Sequence, residues 1–373
     1  MLRFHSLRVA QVQTQAEDAI ALGLEVPPEL AAEYRGLPGQ HIVLRTSLGN
    51  EEVRRTYSLV SAPGERLLRI VARVHSDGRL SQHLARLRPG DRLDVLPPNG
   101  SFTPHSAAAG RGTCLGLAAG CGITPLVAIA RRWLEAGPTG RVILFYGNRS
   151  MARAMCLEEL LALKDRYLDR LALHFVMSRE PQDVEIYNGR LDAGRVRQLA
   201  GAFFEPGEVA ECFVCGPGDM IDGVSHALRE LGVGPDRLRA EHFTIATAAL
   251  AQPSAPVEVH AANGDTPAAA SQPATGADPG MAEVTVLMDG RRRSFTMRMH
   301  GESVLDGAAR AGLDLPFSCR AGVCSTCRTK VVRGEVAMDQ NYALEDWELE
   351  QGYVLACQSK VKTPVLELDY DER

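Results

Sequence analysis

Four of the nine cysteines are spaced in a way that suits a metal cluster. Cys319, Cys324 and Cys327 lie close together, and Cys357 follows thirty residues after the third of them. A binuclear iron–sulfur cluster needs four thiolates, two for each iron, and spacings of four and two residues with one distant cysteine are a pattern that such clusters use. A small residue such as Gly322 lets backbone N–H groups approach the cluster sulfurs. The pattern predicts a 2Fe–2S cluster on these four cysteines.

A structural zinc site is the alternative for the same cysteines. Zinc sites usually combine two Cys-x2-Cys pairs, whereas here one spacing is four residues and the last cysteine stands alone. The spacing therefore favours iron–sulfur chemistry. The odd number of cysteines also fits metal ligation better than a disulfide framework. Four further cysteines lack ligand-like spacing and are interpreted as incidental thiols: Cys114, Cys121, Cys156 and Cys212.

A glycine-rich loop, 118–125, follows an apolar run and opens a predicted helix. Gly120 and Gly122 permit a tight turn and bring backbone N–H groups close to a pyrophosphate. We expect Thr124 to cap the helix and Pro125 to occupy its first turn. The third glycine of the Gly-x-Gly-x-x-Gly fingerprint is absent, so the loop predicts a nucleotide site of a different kind.

The next predicted strand ends in Asn148, Arg149 and Ser150. A site specific for NADH commonly places an acid on the ribose hydroxyls, whereas neutral and basic side chains suit a 2′-phosphate. These three residues therefore favour NADPH as the nucleotide, with NADH as the alternative.

A second set of residues suits another phosphate-bearing ligand. Arg55, Tyr57 and Ser58 close a strand-like run, and Gly78 and Ser81 lead into a predicted short helix at 81–87. The N-terminus of a helix that begins with Gly and Ser is a good cradle for an anion. Each short motif is weak alone, and their pairing about twenty residues apart strengthens the interpretation.

Three kinds of domain are needed to position these residues. Short strands between Gly and Pro turns predict an antiparallel β-barrel over residues 1–110. Strand–helix alternation predicts an α/β domain with a parallel sheet over 111–245, with nucleotide chemistry at the carboxyl ends of its strands. Residues 283–373 begin with two alternating strands and an amphipathic helix. The predicted strands are 41–46, 53–60, 67–74, 92–96, 114–119, 142–146, 172–177, 211–215, 284–288 and 294–299, and the further helices are 126–135, 157–164, 220–231 and 303–311.

Residues 246–282 join the last two domains. The stretch 248–280 is rich in Ala and Pro and contains no aromatic residue. Such a composition buries too little apolar surface to offset the entropy cost of ordering. We therefore predict a flexible linker there.

Composition excludes several classes of protein. The net charge of −5 argues against a nucleic-acid binder held by phosphate contacts. No apolar run approaches the roughly 18 residues that a membrane-spanning helix needs. The first residues lack the apolar region of a secretion signal. We expect a cytoplasmic protein of several domains that binds neither nucleic acid nor membrane.

The paired motifs resemble the flavin-binding elements of the ferredoxin–NADP reductase superfamily. The resemblance implies that Arg55 faces the flavin pyrophosphate, that Tyr57 packs on the isoalloxazine, and that Ser58 lies near its reactive nitrogen. Gly78 and Ser81 would hold phosphates. FMN occurs in some related barrels, and the superfamily match favours FAD.

The loop 118–125 resembles the Gly-x-Gly-Ile-Thr-Pro loop of the same superfamily. The family also carries a Cys-Gly-Pro, here Cys215, Gly216 and Pro217, and it places the cysteine beside the nicotinamide. Together with Tyr57 and Ser58, Cys215 is thus implied to serve hydride transfer. Arg73 and Phe243 are further cofactor-binding candidates by the same resemblance.

The flanks of the cysteines, 316–318 and 355–358, resemble plant-type ferredoxins, which implies a β-grasp fold for 283–373. The order of the three modules resembles the electron-transfer reductases of multicomponent oxygenases. More narrowly, 334–346, 352–358 and 369–371 resemble the reductase subunits of phenylacetyl-CoA epoxidases. This implies an oxidoreductase that passes electrons from NADPH through FAD and the cluster to the di-iron oxygenase component of aerobic phenylacetate degradation.

Two other functions remain open from the sequence. One is a reductase for another acceptor, such as a steroid hydroxylase or a Rieske oxygenase. The other is a non-catalytic redox sensor whose nucleotide sites have degenerated. Intact nucleotide motifs favour the reductase.

Overall fold

The computed structural model describes residues 3–105, 109–243, 257–261 and 280–372. The chain divides into two compact units, Leu2–Ala246 and Thr247–Arg373. The first unit contains the barrel and the parallel sheet, and the second contains the cluster cysteines.

The barrel is an antiparallel sheet of six strands in the order β4-β3-β6-β1-β2-β5. A bridge between Leu59 and Ile70 joins its two edges, so the sheet closes on itself and its edge strands are protected. Alternating apolar residues such as Leu22, Leu24 and Ile42 fill its interior. Its elements are β1 (His5–Ala16), β2 (Ala19–Glu25), β3 (His41–Leu48), β4 (Glu51–Ser58), β5 (Leu67–Arg73), the helix α1 (Arg79–Leu84) and β6 (Arg92–Asn99).

The nucleotide domain is a five-stranded parallel sheet in the order β11-β10-β7-β8-β9. The chain reverses its direction of travel across the sheet between β7 and β10, which makes that position the switch point where such sheets bind ligands. Its core, around Trp133 and Tyr146, continues into barrel residues such as Phe102. The elements are β7 (Thr113–Ala119), α2 (Ile123–Ala136), β8 (Arg141–Asn148), α3 (Leu157–Arg166), β9 (Leu171–Met177), α4 (Ala193–Leu199), β10 (Val209–Gly216), α5 (Gly218–Glu230) and β11 (Leu238–His242).

The second unit packs a mixed sheet, β14-β13-β19-β15-β17, with a three-stranded sheet, β12-β16-β18. One apolar core, with Val284, Val336 and Tyr370, serves both sheets. The elements are β12 (Val257–His260), β13 (Met281–Met288), β14 (Arg291–Arg298), α6 (Val304–Arg310), β15 (Arg328–Arg333), β16 (Glu335–Met338), α7 (Asp346–Glu350), β17 (Tyr353–Leu355), β18 (Ser359–Val361) and β19 (Val365–Asp369).

The predicted fold class is confirmed for all three parts, and the named strands differ from the observed ones only at their ends. Most of the predicted linker lies outside the described residues. Its described part differs from the expectation, because β12 pairs antiparallel with β16 and buries Val259 in the core of the second unit. Across the described ranges, no helix is both long enough and apolar enough to span a membrane.

Candidate functional site

A cavity of about 580 Å³ opens at the carboxyl ends of the parallel strands. It brings together the loops after β7, β8, β9 and β10, as the switch-point rule expects. The predicted residues that line it are Arg73, Gly120, Asn148, Arg149 and Pro217. Lining residues that the sequence interpretation missed include His75, Arg153, Ser178, Arg179, Arg190 and Asp219.

The loop after β7 needs glycine for two different reasons. Gly120 has a φ of +57°, which side chains disfavour. Gly122 has an ordinary φ of −60°, but a Cβ there would lie 2.1 Å from the carbonyl oxygen of Cys215. The second glycine therefore lets the loop approach the end of β10.

The prediction that Thr124 caps the helix is wrong. A 3₁₀ turn over Gly120–Gly122 runs directly into α2, so Gly122 is the N-cap and Thr124 lies inside the first turn. The Thr124 hydroxyl donates to the carbonyl oxygen of Cys121 at 3.0 Å. Pro125 lies in the first turn, as expected, where no intrahelical partner is required of its nitrogen.

Cys215 lies at the end of β10 and is fully buried. Burial, the adjacent Glu241 carboxyl and the Cys121 thiol all raise its pKa, so it is held as a neutral thiol. Gly216 follows it, and a Cβ at Gly216 would lie 2.7 Å from Sδ of Met220. Pro217 is the N-cap of α5.

Cys215 and Ser58 are connected through two intermediate residues. Cys215 is the strand partner of Glu241, and Ser58 is the strand partner of His41. Nδ1 of His41 lies 3.7 Å from Oε1 of Glu241. Nε2 of His41, Oε2 of Glu241 and Oγ of Ser58 are buried and have no hydrogen-bond partner among the described residues. The barrel and the nucleotide domain thus meet at a cluster of three buried polar side chains, His41, Ser58 and Glu241, each with a donor or acceptor available for a further hydrogen bond.

Burial raises the pKa of Glu241, although His41 lowers it in part. The sequence interpretation named Phe243 in this segment, and it missed His41. No motif marks His41, because its role depends on pairing with β4 and on a contact from β11. Phe243 packs against the core of the first unit.

The residues predicted to select the nucleotide lie at the end of β8, beside the end of the neighbouring strand β9. Asn148 is buried, and its Nδ2 has no partner within the described ranges, whereas Arg149 is exposed. The carbonyl oxygens of these two residues accept hydrogen bonds from the backbone nitrogens of Ser178 and Arg179, each at 2.9 Å. Ser150 begins the following turn and lies outside the described lining of the cavity. Ser178 and Arg179, the polar pair after β9, could have been found by inspecting the residues that follow each predicted strand.

Arg73 belongs to an ionic group that joins the barrel to the nucleotide domain. Asp18 in the β1–β2 turn forms ion pairs with both Arg73 and Arg153. Arg73 also donates to the carbonyl oxygen of Arg153 at 3.1 Å. Both guanidinium groups line the cavity, so Asp18 holds two cations at its wall.

The predicted flavin residues lie on β4 and before α1. Arg55 and Tyr57 are two residues apart on the strand and share a face. Burial raises the pKa of Tyr57 to about 12. Gly78 is the N-cap of α1. Oγ of Ser81 accepts a hydrogen bond from the backbone nitrogen of His75 at 3.1 Å, and it donates one to the backbone carbonyl oxygen of Gly78 at 3.0 Å. Ser81 therefore closes this loop, and the backbone N–H groups of the turn are the remaining anion donors.

The four predicted cluster cysteines converge in the second unit. The thiols of Cys324 and Cys357 lie close enough to Cys319 to lower its pKa. The neighbouring thiols of Cys319 and Cys327 raise the pKa of Cys357. Three of the thiols are buried, and Cys319 is half-buried. Four thiols from two segments, close enough together to shift one another's pKa, fit the ligand set of a binuclear cluster.

No three His, Cys, Asp or Glu side chains in the described ranges are spaced to surround a single metal ion. A binuclear cluster distributes its ligands over two iron atoms and so requires a wider set. The backbone supports such a set, because the N–H of Ala321 donates to Sγ of Cys319 at 3.3 Å. Oγ of Ser318 is buried beside this loop and has no partner in the part of the chain that the structure describes.

Three parts of the chain match known domain families. Residues 6–103 match the oxidoreductase FAD-binding domain, and residues 117–226 match the oxidoreductase NAD-binding domain. Residues 286–362 match the 2Fe-2S iron-sulfur cluster binding domain. The three matches support FAD, a nicotinamide nucleotide and a 2Fe–2S cluster as the cofactors.

Relatives match the chain over nearly its whole length. The chain is 36% identical to a component of the 1,2-phenylacetyl-CoA epoxidase of Escherichia coli (strain K12), over 100% of this chain and 99% of the relative. It is 32% identical to the ferredoxin reductase component of 3-ketosteroid-9-alpha-monooxygenase of Rhodococcus rhodochrous, over 98% and 96%.

The solved structure of phthalate dioxygenase reductase shares the fold, with a TM-score of 0.56, 22% identity and 98% coverage of both chains. The domain matches and the relatives confirm the predicted electron-transfer oxidoreductase at the level of its class. The chain belongs to the family of FAD-, NAD- and 2Fe–2S-containing reductase components of multicomponent oxygenases, which includes the matching component of 1,2-phenylacetyl-CoA epoxidase.

Proposed function

We propose that this protein takes electrons from NADPH and delivers them, one at a time, to a di-iron oxygenase that acts on phenylacetyl-CoA in the cytoplasm. The observation that carries the choice of nucleotide is the cavity at the carboxyl edge of the parallel sheet, which is lined by five arginines and Ser178. The choice of oxygenase is supported by the 36% identity with the epoxidase component of Escherichia coli.

NADPH is favoured over NADH by the chemistry of the cavity wall. Arg149, Ser178 and Arg179 lie on two adjacent strand ends, where the adenosine ribose of a nucleotide is expected. Among the described lining residues Asp219 is the one acid, and it belongs to α5 after β10 rather than to the β8 or β9 ends. Guanidinium groups bind phosphate oxygens by paired, charge-assisted hydrogen bonds, so this wall suits a 2′-phosphate.

The chain's own residues would position the nicotinamide and the flavin against each other. Bound FAD supplies the conversion between two-electron and one-electron transfer. Tyr57 offers an aromatic face, Ser58 a hydroxyl, and Arg55 a cation for the pyrophosphate. Cys215, as a neutral buried thiol, adds no charge where the hydride passes. His41 and Glu241 provide buried groups that can hold a proton beside Ser58.

Cys319, Cys324, Cys327 and Cys357 would hold the cluster, which supplies one-electron transfer. The proposal is supported by the convergence of the four sulfurs from two segments. The backbone N–H of Ala321 and the buried Ser318 hydroxyl provide hydrogen-bond donors close to the first ligand.

Anaerobic visible spectroscopy tests the electron path. We expect the purified protein to show flavin and cluster bands that bleach in turn on addition of NADPH, and more slowly with NADH at equal concentration. A protein without flavin bands, or one that NADPH leaves unchanged, would support the redox-sensor alternative.

An Arg179→Gln variant tests the nucleotide preference. Loss of one hydrogen bond to a charged group costs about 1.5–3 kcal/mol, so we expect NADPH binding to weaken roughly 10-fold to 100-fold while NADH binding is unchanged. Arg166→Gln is a matched control on the exposed surface of α3. Equal weakening for both nucleotides would contradict the 2′-phosphate assignment.

Reconstitution with separate oxygenases tests the acceptor. We expect coupled NADPH consumption with a di-iron phenylacetyl-CoA epoxidase and little with a 3-ketosteroid oxygenase. The reverse result would assign the chain to the second group of relatives.

A further inference from the structure

The fourth cluster cysteine is followed by a glutamine whose side chain spans both ligand segments. Nε2 of Gln358 donates to the carbonyl oxygen of Arg320 at 3.0 Å. The same nitrogen lies 3.2 Å from the carbonyl oxygen of Cys357 and 3.6 Å from its Sγ. Arg320 lies between the first two ligands in sequence. One amide therefore contacts the loop of Cys319 and Cys324, and also the sulfur of the distant ligand.

The position of Gln358 is fixed from both sides. The backbone carbonyl oxygen of Gln358 accepts a hydrogen bond from the backbone nitrogen of Asp339 at 3.0 Å. Gly322, with a φ of +73°, packs so closely that a Cβ there would lie 3.2 Å from Cγ of Gln358. The backbone nitrogen of Tyr342 donates to the carbonyl oxygen of Gly322 at 3.0 Å. The glutamine side chain is thus half-buried, and one side of it packs tightly against Gly322.

We propose that Gln358 is a positioning residue for the cluster: it joins the two ligand segments and donates a hydrogen bond to the Cys357 sulfur that raises the reduction potential. This inference rests on the proposed electron path through the cluster. An N–H donor stabilises negative charge on a ligand sulfur, and the reduced cluster carries one more negative charge than the oxidised one. The donor therefore favours the reduced state, in line with the control of cluster potential by hydrogen bonds to sulfur.

Replacing the amide tests this directly in the full chain. Gln358→Met keeps the length of the side chain and removes the donor, and Gln358→Glu keeps its shape and replaces the donor by an acceptor. Gln351→Met is the matched control, since Gln351 is exposed in the same unit. The readouts are the iron content and the cluster reduction potential, measured by equilibrium titration against a redox dye.

We expect both variants to hold less stable clusters with a lower potential, while the control is unchanged. Loss of one hydrogen bond to a charged sulfur is expected to shift the reduced-to-oxidised ratio at fixed potential about tenfold, which is about 59 mV for one electron. A merely structural role would lower the iron content without moving the potential of the cluster that remains. Wild-type potential in cluster-loaded Gln358→Met would overturn the proposal.

If the variants fail to retain iron, the hydrogen bond to Cys357 can be tested in the wild-type protein. Protein labelled with ¹⁵N at the glutamine side-chain amides is reduced and studied by pulsed EPR. We expect a ¹⁵N coupling to the cluster, and its absence would overturn the hydrogen bond to Cys357. Wild-type protein without a cluster spectrum would instead refute the electron path itself, so the two failures are distinguishable.

Discussion

Gly122→Ala should disrupt hydride transfer more than it disrupts folding. The added Cβ would lie 2.1 Å from the carbonyl oxygen of Cys215, 2.4 Å from its carbonyl carbon and 2.8 Å from the nitrogen of Gly216. These are backbone atoms, so no side-chain rotation relieves the contact. Since ordinary contacts begin near 3.4 Å, the loop and the end of β10 must separate by more than 1 Å.

The size of the effect follows from that displacement. Cys215 and Gly122 lie on either side of the switch point, where the proposed nicotinamide site is formed. A misplacement of about 1 Å in a reacting complex can reduce its rate roughly 100-fold. Overpacking of this kind typically destabilises a fold by about 1–3 kcal/mol, which a domain of this size should survive.

Gly201→Ala is the matched control, because Gly201 lies at an exposed turn of the same domain and does not line the cavity. No described atom lies within 4 Å of an added Cβ there, but the φ of Gly201 is +75°, so the expected cost is about 1–2 kcal/mol of backbone strain with Cys215 left in place. Stopped-flow flavin reduction by NADPH measures the rate, and urea unfolding measures the stability. Equal stability loss in both variants with a slow rate only for Gly122→Ala supports the reasoning, whereas a wild-type rate in Gly122→Ala would refute it.

Three further perturbations test other parts of the molecule. Cys324→Ser should abolish cluster reduction and leave NADPH-driven flavin reduction intact, as followed by anaerobic absorbance; unchanged electron delivery to the oxygenase would contradict the proposed path. Burial raises the pKa of Glu241. The protonated Glu241 side chain therefore adds to the free energy of unfolding below the ordinary carboxyl pKa, and this contribution is lost as the pH rises through the raised value. Glu241→Gln should flatten that decline in unfolding midpoints as the pH rises above the ordinary carboxyl pKa of about 4.3. Val259→Ala should destabilise the second unit by about 2 kcal/mol, measured by urea unfolding with exposed Glu258→Ala as the control; equal effects in both would contradict a core role for β12.

The fold was predictable wherever a local pattern repeats. Apolar runs such as 114–119 and 142–146 identified strands β7 and β8, because a buried parallel strand reads as a continuous apolar segment. β12 was missed for the opposite reason. Its four residues alternate as Val-Glu-Val-His, but an Ala- and Pro-rich context hides so short a pattern, and its partner β16 lies far along the chain.

The site was predictable only in part, because its groups come from distant segments. Gly120 and Asn148 follow strands and could be found from local sequence. Arg153 lies at the cavity because of Asp18, which is 135 residues away. His41 matters because Glu241 meets it from a different domain. No local motif encodes such contacts, since they depend on how the barrel and the parallel sheet pack.

The two redox sites are built on a common principle that explains why their positioning residues escape motif searches. Each site joins segments that the sequence separates, and each depends on one residue that fixes the distance between those segments. At the nicotinamide site Gly122 sets how closely the loop approaches Cys215, and at the cluster Gln358 joins the loop of Cys319 to the distant Cys357. Neither residue needs to take part in electron transfer itself. Each acts by fixing the geometry of the groups that bind the cofactors. Substitutions at such positions should therefore change the rate or the potential even in protein that still holds its cofactors.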